Sequence, residues 1–124
     1  MRILLVDDEE IILRGMTRLL DILQHTCVCV SNGQEALQVI EGQPVDLVIS
    51  DIQMPRMDGF QLVRAIRDIR PELPIILLTG AIVDGMEEEG ARQGIYAIYR
   101  KPVKFVDLEQ AVKKIEEGNR ESST

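Results

Sequence analysis

The chain has 124 residues, 45% hydrophobic and 28% charged, which fits a single globular domain and excludes a disordered or collagen-like chain. Fourteen Lys and Arg against 21 Asp and Glu give a net charge of −7, a sign that repels phosphate backbones, so no direct contact with nucleic acid is expected. No apolar run approaches the ~20 residues of a membrane span, and the opening Arg2-Ile3-Leu4-Leu5-Val6 meets an acidic cluster instead of a signal-peptide cleavage region, so a cytoplasmic location without membrane contact is expected.

Five short, β-branched apolar runs read as strands over 3–6, 27–30, 45–49, 75–78 and 96–99. Between the first two runs, Ile12, Met16, Leu19, Leu20 and Leu23 recur at helical spacing. Ala36, Leu37, Val39 and Ile40 form the next apolar stripe, and Leu62, Val63, Ile66 and Ile69 the third. Asn32 with Glu35, Asp58 with Gln61 and Asp107 with Gln110 have the spacing of a capping box, while Gly42 and Gly118 stand where helices end. A fourth helix over 84–93 is short and mobile by this reading, because it contains Gly85, Gly90 and the like-charged run Glu87-Glu88-Glu89. Residues 1–118 make the domain, and the polar residues 119–124 read as a tail or the start of a linker.

Cys27 and Cys29, at i and i+2 of a strand, share a face about 6.6 Å apart, a span that strains a disulfide. With His25 as the one histidine, no tetrahedral metal set is available. Both cysteines are therefore expected to be buried apolar residues, and His25 a loop residue before its strand.

Strands alternating with helices imply right-handed crossovers and a parallel sheet covered on both faces. The expected fold is a doubly wound α/β sheet in the order 2-1-3-4-5, of the flavodoxin-like kind, with its ligand site beyond the carboxyl ends of the strands. The residues following the apolar runs should then converge: Asp7 and Asp8, Asp51, Thr79 and Lys101. Singly, these could be a helix-terminal charge, a turn residue, a strand end and a solvated lysine. Together, three carboxylates repel unless neutralised, and an all-oxygen donor set suits Mg²⁺ or a similar ion such as Mn²⁺. Such a site favours phosphoryl transfer, with an Asp as covalent acceptor, Lys and the cation holding charge on the phosphoryl oxygens, and Thr79 supplying a neutral hydrogen bond.

Leu4-Leu5-Val6-Asp7-Asp8-Glu9, the segment from Ser50-Asp51 through Gln53, Pro55 and Asp58-Gly59, Thr79-Gly80-Ala81 and Lys101-Pro102 together resemble the CheY-like receiver domain of bacterial two-component response regulators, from Arg2 to about Glu117. The resemblance implies that Asp51 is the phosphoacceptor, that Asp7 and Asp8 are the acidic pair holding the metal, and that the Gln53 backbone carbonyl is a further metal ligand. It implies that Thr79 and Lys101 contact the phosphoryl group, and that the Lys101-Pro102 peptide is cis. One position departs from the family. Three residues before the Lys, where Tyr or Phe is usual, stands Ile98, with Tyr96 on the same strand face and Tyr99 on the other.

The expected function is a phosphorylation-driven switch that takes a phosphoryl group from a sensor histidine kinase or His-phosphotransfer protein and alters the surface of the fourth helix, fifth strand and fifth helix. Thr79, Ile98 and Tyr96 are the expected switch residues. An output domain, a target protein or a phosphorylation-dependent dimer would read that surface. Such a module catalyses only its own phosphorylation and dephosphorylation. One alternative is a Mg²⁺-dependent aspartyl-phosphate phosphatase, which needs an acid where Gln53 stands. Another is a receiver-like binding module that is never phosphorylated. A flavin or nucleotide site is disfavoured, because its first turn should be rich in Gly, Ser or Thr and here reads Asp7-Asp8-Glu9-Glu10.

Overall fold

The computed structural model describes residues 1–122. Five parallel strands, β1 (Arg2–Val6), β2 (Thr26–Val30), β3 (Leu47–Asp51), β4 (Ile75–Thr79) and β5 (Ala97–Arg100), lie in the order β2-β1-β3-β4-β5, as the alternation of periods implies. The crossovers carry α1 (Glu10–Ile22), α2 (Gly33–Gly42), α3 (Gly59–Ile69) and α4 (Met86–Arg92), and α5 (Phe105–Ser122) follows β5.

Both faces of the central strands are covered, which is why β1, β3 and β4 are almost continuously apolar. Leu4, Val6, Val48, Ile75 and Leu77 pack with Ala36, Ile40, Leu62, Val63 and Ile66 of α2 and α3. Ile3, Leu5, Leu47, Ile49, Ile76 and Leu78 pack on the opposite face with Met16 and Leu20 of α1 and Leu108, Val112 and Ile115 of α5. The alternation at β5 matches the expected faces, Ile98 siding with the first cluster and Tyr99 with the second.

Several local expectations are corrected. β3 and β4 run on to Asp51 and Thr79, because Asp51 pairs with Leu78 and Thr79 with Arg100 in the ladder. β3 begins at Leu47, not Val45, and β5 at Ala97, which leaves Tyr96 ahead of the strand and 44% exposed. α4 is shorter than the span 84–93. The Asp58 and Gln61 capping box forms completely. Asn32 accepts from the Glu35 N–H as expected, but Glu35 turns its carboxylate to the Ser31 N–H and hydroxyl and the Asn32 side-chain amide.

Asp107 is not a cap. α5 starts two residues earlier, and Asp107 lies in its first turn, where a carboxylate still suits the helix dipole. Gly118 is likewise inside α5, which continues through residues 119–122 of the expected tail, while residues 123–124 of that tail lie outside the described residues. Gly42 is the last residue of α2, followed by Gln43 as cap.

The cysteines do share a face, but β2 is an edge strand and the cover there is thin. Cys27 is half-buried, with its thiol pushed up to about 11 chiefly by burial, and Cys29 is exposed beside the Thr17 hydroxyl at 3.3 Å. His25 is the loop residue just before β2, as expected, and it is buried there, with its Nδ1 2.9 Å from the Met1 ammonium and 3.9 Å from Glu116.

Candidate phosphoryl-transfer site

Every strand of this sheet ends toward the same edge, and the order reversal between β1 and β3 opens a crevice there. Asp7 follows β1 and is 2% exposed. Its Oδ1 accepts from the Glu9 N–H at 2.9 Å, which turns the chain into α1 and leaves Oδ2 facing the crevice. Asp51 ends β3 at 4% exposure, and Asp8 is exposed. One carboxylate oxygen from each of Asp7, Asp8 and Asp51 lies within 4.8 Å of the others.

Lys101 reaches this group from β5. Its backbone N–H donates to the Thr79 carbonyl at 2.7 Å, and its Nζ sits 3.1 Å from both Asp7 Oδ2 and Asp51 Oδ2. Burial alone lowers an ammonium pKa; here the hydrogen bonds to Asp51 and Asp7, and then their charges, outweigh it and raise that of Lys101. The Lys101-Pro102 peptide is cis.

Gly59 brings the start of α3 against the end of β3. Its N–H donates to the Ile52 carbonyl at 2.8 Å, and a Cβ in its place would lie 2.8 Å from the Ile52 Cα and 2.9 Å from the Asp51 carbonyl oxygen. Ser50, buried beside Asp51, donates its hydroxyl to that same carbonyl at 2.9 Å. The Gln53 N–H donates to Asp51 Oδ1 at 3.2 Å, so the loop after β3 also orients the carboxylate.

Asp7, Asp8, Asp51 and Lys101 therefore meet, with Gln53 beside them. Thr79, fully buried at the adjacent strand end, turns its hydroxyl to the Ala81 carbonyl at 2.9 Å. Ile98 and Tyr96 lie apart from the acidic group, near the edge of the sheet covered by α4. Sequence reasoning passed over Ser50, whose role depends on a carbonyl at a strand end, and Arg67 of α3, whose guanidinium donates to the backbone carbonyls of Arg70, Leu73, Gln93 and Gly94 and so leaves no motif.

Three carboxylates against one ammonium leave an excess of negative charge in a mostly buried space, and the donors are all oxygen. That set fits a hard divalent cation. The sequence model for the response regulator receiver domain matches residues 3–113. The chain belongs to the response regulator receiver domain family.

Relatives include the transcriptional regulatory protein GlrR of Escherichia coli K12, 38% identical over 89% of this chain and 25% of that protein. The sensor histidine kinase RcsC of Salmonella typhi is 32% identical over 90% of this chain and 12% of the kinase. The chain thus spans a quarter or less of the length of these relatives. Among solved structures, a signal receiver domain of an HD domain-containing protein from Pseudomonas fluorescens Pf-5 superposes with a TM-score of 0.90 at 34% identity over 97% of both chains. The response regulator TrrA of Thermotoga maritima, crystallised in complex with Mg²⁺-BeF, gives 0.83 at 32% identity over 92% of this chain and 97% of that one. This receiver domain is a signalling domain, and among its described residues no helix is long and apolar enough to cross a membrane.

Proposed function

We propose that this receiver domain is a Mg²⁺-dependent phosphoacceptor switch in which Asp51 takes the phosphoryl group. The observation that carries the reading is the Asp51 carboxylate itself, buried at a strand end yet held 3.1 Å from the Lys101 ammonium and beside the acidic pair Asp7 and Asp8. Asp7, Asp8, Asp51 and the Gln53 backbone carbonyl would hold Mg²⁺ or Mn²⁺. When bound, the cation supplies positive charge to the carboxylates and to the oxygens of the incoming phosphoryl group.

In the transfer an Asp51 oxygen bonds to phosphorus as the bond to the donor imidazole nitrogen breaks, and the nitrogen keeps the electron pair. Lys101 stays between Asp7 and the acceptor and stabilises charge on a phosphoryl oxygen. Thr79 exchanges its Ala81 carbonyl partner for a phosphoryl oxygen, pulling residues 80–85 with it. The donor is a sensor histidine kinase or His-phosphotransfer protein, the working location is the cytoplasm, and the domain catalyses its own phosphorylation and dephosphorylation alone. The face of α4, β5 and α5 carries the state to an output domain, a target or a second copy, with Thr79, Ile98 and Tyr96 as its switch residues. A phosphatase acting on other esters would need an acid at Gln53, whose amide has no proton to give a leaving group.

Incubation with acetyl phosphate and Mg²⁺ tests the assignment by intact mass. The parent should gain one phosphate, and Asp51→Asn none. A gain that survives Asp51→Asn refutes the assignment. Thr79→Ala and Lys101→Ala should keep metal binding but reduce the amide shifts of α4 on phosphorylation.

A further inference from the structure

The two edges of the sheet are protected differently. β5 closes one edge and ends on Arg100, with Lys101 directly after it. β2 closes the other, and its five residues, Thr26-Cys27-Val28-Cys29-Val30, include no charge or proline to discourage a further strand. The Thr26 N–H donates to the Met1 carbonyl at 3.0 Å and the Val30 carbonyl accepts from the Asp7 N–H at 3.2 Å, so residues 26, 28 and 30 turn their backbone groups inward to β1. By the alternation of a strand, Cys27 and Cys29 turn theirs outward. Two N–H groups and two carbonyls thus line this edge, and among the described residues no element but β1 pairs with β2. Cys29 is exposed and Cys27 and Val28 are half-buried, which leaves the edge open.

Cys27-Val28-Cys29 reads the same in both directions. An antiparallel neighbour of the same sequence, related by a two-fold axis at Val28, sets Cys27 opposite Cys29 of the second copy and Cys29 opposite its Cys27. Each such pair exchanges two N–H···O=C bonds, so all four outward groups of each copy are satisfied. Neighbouring axes fail. One at Cys27 would set Cys29 against His25, whose N–H is committed to the Leu20 carbonyl at 3.0 Å, and one at Cys29 would set Cys27 against Ser31, whose N–H is committed to Glu35 at 3.1 Å. The charges of α1 favour the same register. Asp21 stands beside Cys27, where its carboxylate adds to the upward push on the thiol, and Arg18 lines one surface hollow with Cys29. Both side chains are exposed, and among the described residues neither has a hydrogen bond or ion pair within its own copy, whereas Arg14 is held by Glu10 at 2.7 Å. Setting Cys27 against Cys29 of a second copy brings Asp21 toward Arg18 of that copy, and the symmetry repeats the pair.

We propose that the free edge of β2 is a self-association surface, on which a second copy of this chain adds its own β2 antiparallel about Val28 while Arg18 and Asp21 pair across the axis. The two sheets join edge to edge with their β5 strands at the far ends, so the face of α4, β5 and α5 stays free in the pair. Four backbone groups and two charges per copy make a small contact, and the dimer is a weak, transient one.

Sedimentation velocity of the full chain over about 0.01 to 1 mM tests it, in a thiol reductant and about 0.15 M salt to screen the net charge of −7. The parent should pass from monomer to dimer across this range. Arg18→Asp and Asp21→Arg should each weaken the dimer by about tenfold or more, since each turns two attractions into two repulsions, and the two exchanges combined should restore it. Amide exchange followed by NMR locates the contact without any variant. Between the ends of the range the Cys27 and Cys29 N–H groups should slow by about threefold or more, while those of Thr26 and Val28, already bonded to β1, change little. A parent that stays monomeric, a dimer that the single variants leave unchanged or the combined variant fails to restore, or a dimer without selective protection of Cys27 and Cys29 overturns the proposal.

Discussion

Replacing Asp51 by Asn should stabilise the metal-free domain, the opposite of what a substitution at a buried, bonded site usually does. Asp51 feels one attraction, from Lys101 at 3.1 Å, and two repulsions, from Asp7 and Asp8 at 4.8 Å or less. At an effective dielectric constant of about 20 the two repulsions exceed the attraction by about 1.5 kcal/mol, and the variant also avoids burying a charge. Asn keeps the oxygen that accepts from the Gln53 N–H, and Lys101 keeps Asp7. For a domain of this length the gain corresponds to a melting temperature higher by about 6 °C. Millimolar Mg²⁺ should raise the parent, by about 1.4 kcal/mol at tenfold excess over its Kd, and raise the variant much less. Thermal melts by circular dichroism in a chelator and in Mg²⁺ measure all four values. A variant that melts several degrees below the parent in chelator would mean that Lys101 outweighs the acidic pair, and a parent melt insensitive to Mg²⁺ would remove the metal site.

Gly59→Ala should lower stability by about 1–3 kcal/mol in urea melts and slow phosphorylation by acetyl phosphate, because its Cβ would push on the Ile52 Cα and the Asp51 carbonyl, both backbone. Asp58→Ala removes the carboxylate that accepts from the Gln61 N–H, while the backbone N–H that donates to Gln61 Oε1 remains, and should cost about 1 kcal/mol in the same assay, with Asp58→Asn recovering most of it. His25 titrates below its ordinary value of 6.5, first because it is buried and then because the Met1 ammonium faces it, with Glu116 opposing both. The unfolded chain therefore binds this proton more readily than the folded one. Its contribution to stability is complete above about pH 6.5 and is lost as the pH falls through the lower folded value, so unfolding free energies measured between pH 7 and 5 should decline more steeply in the parent than in His25→Gln.

The sheet order and the convergence of Asp7, Asp8, Asp51, Thr79 and Lys101 on one edge were legible from the sequence, because they follow from local periods and from the single hand of parallel crossovers. The Asp58 and Gln61 cap was legible for the same reason, since its two partners are three residues apart. Other features are set by neighbours far along the chain. The exposure of Cys29 depends on β2 being an edge strand, and the burial of His25 on the meeting of β1 and α5 around it. The start of α5 at Phe105 escaped a reading that looked for Asp107, as its first turn docks where β5 delivers it. Residue type and spacing determined which groups would gather at the carboxyl ends of the strands. Tertiary packing alone decided that Lys101 stands between two carboxylates and that Arg67 reaches the carbonyls of Gln93 and Gly94, because both arrangements join segments distant in sequence.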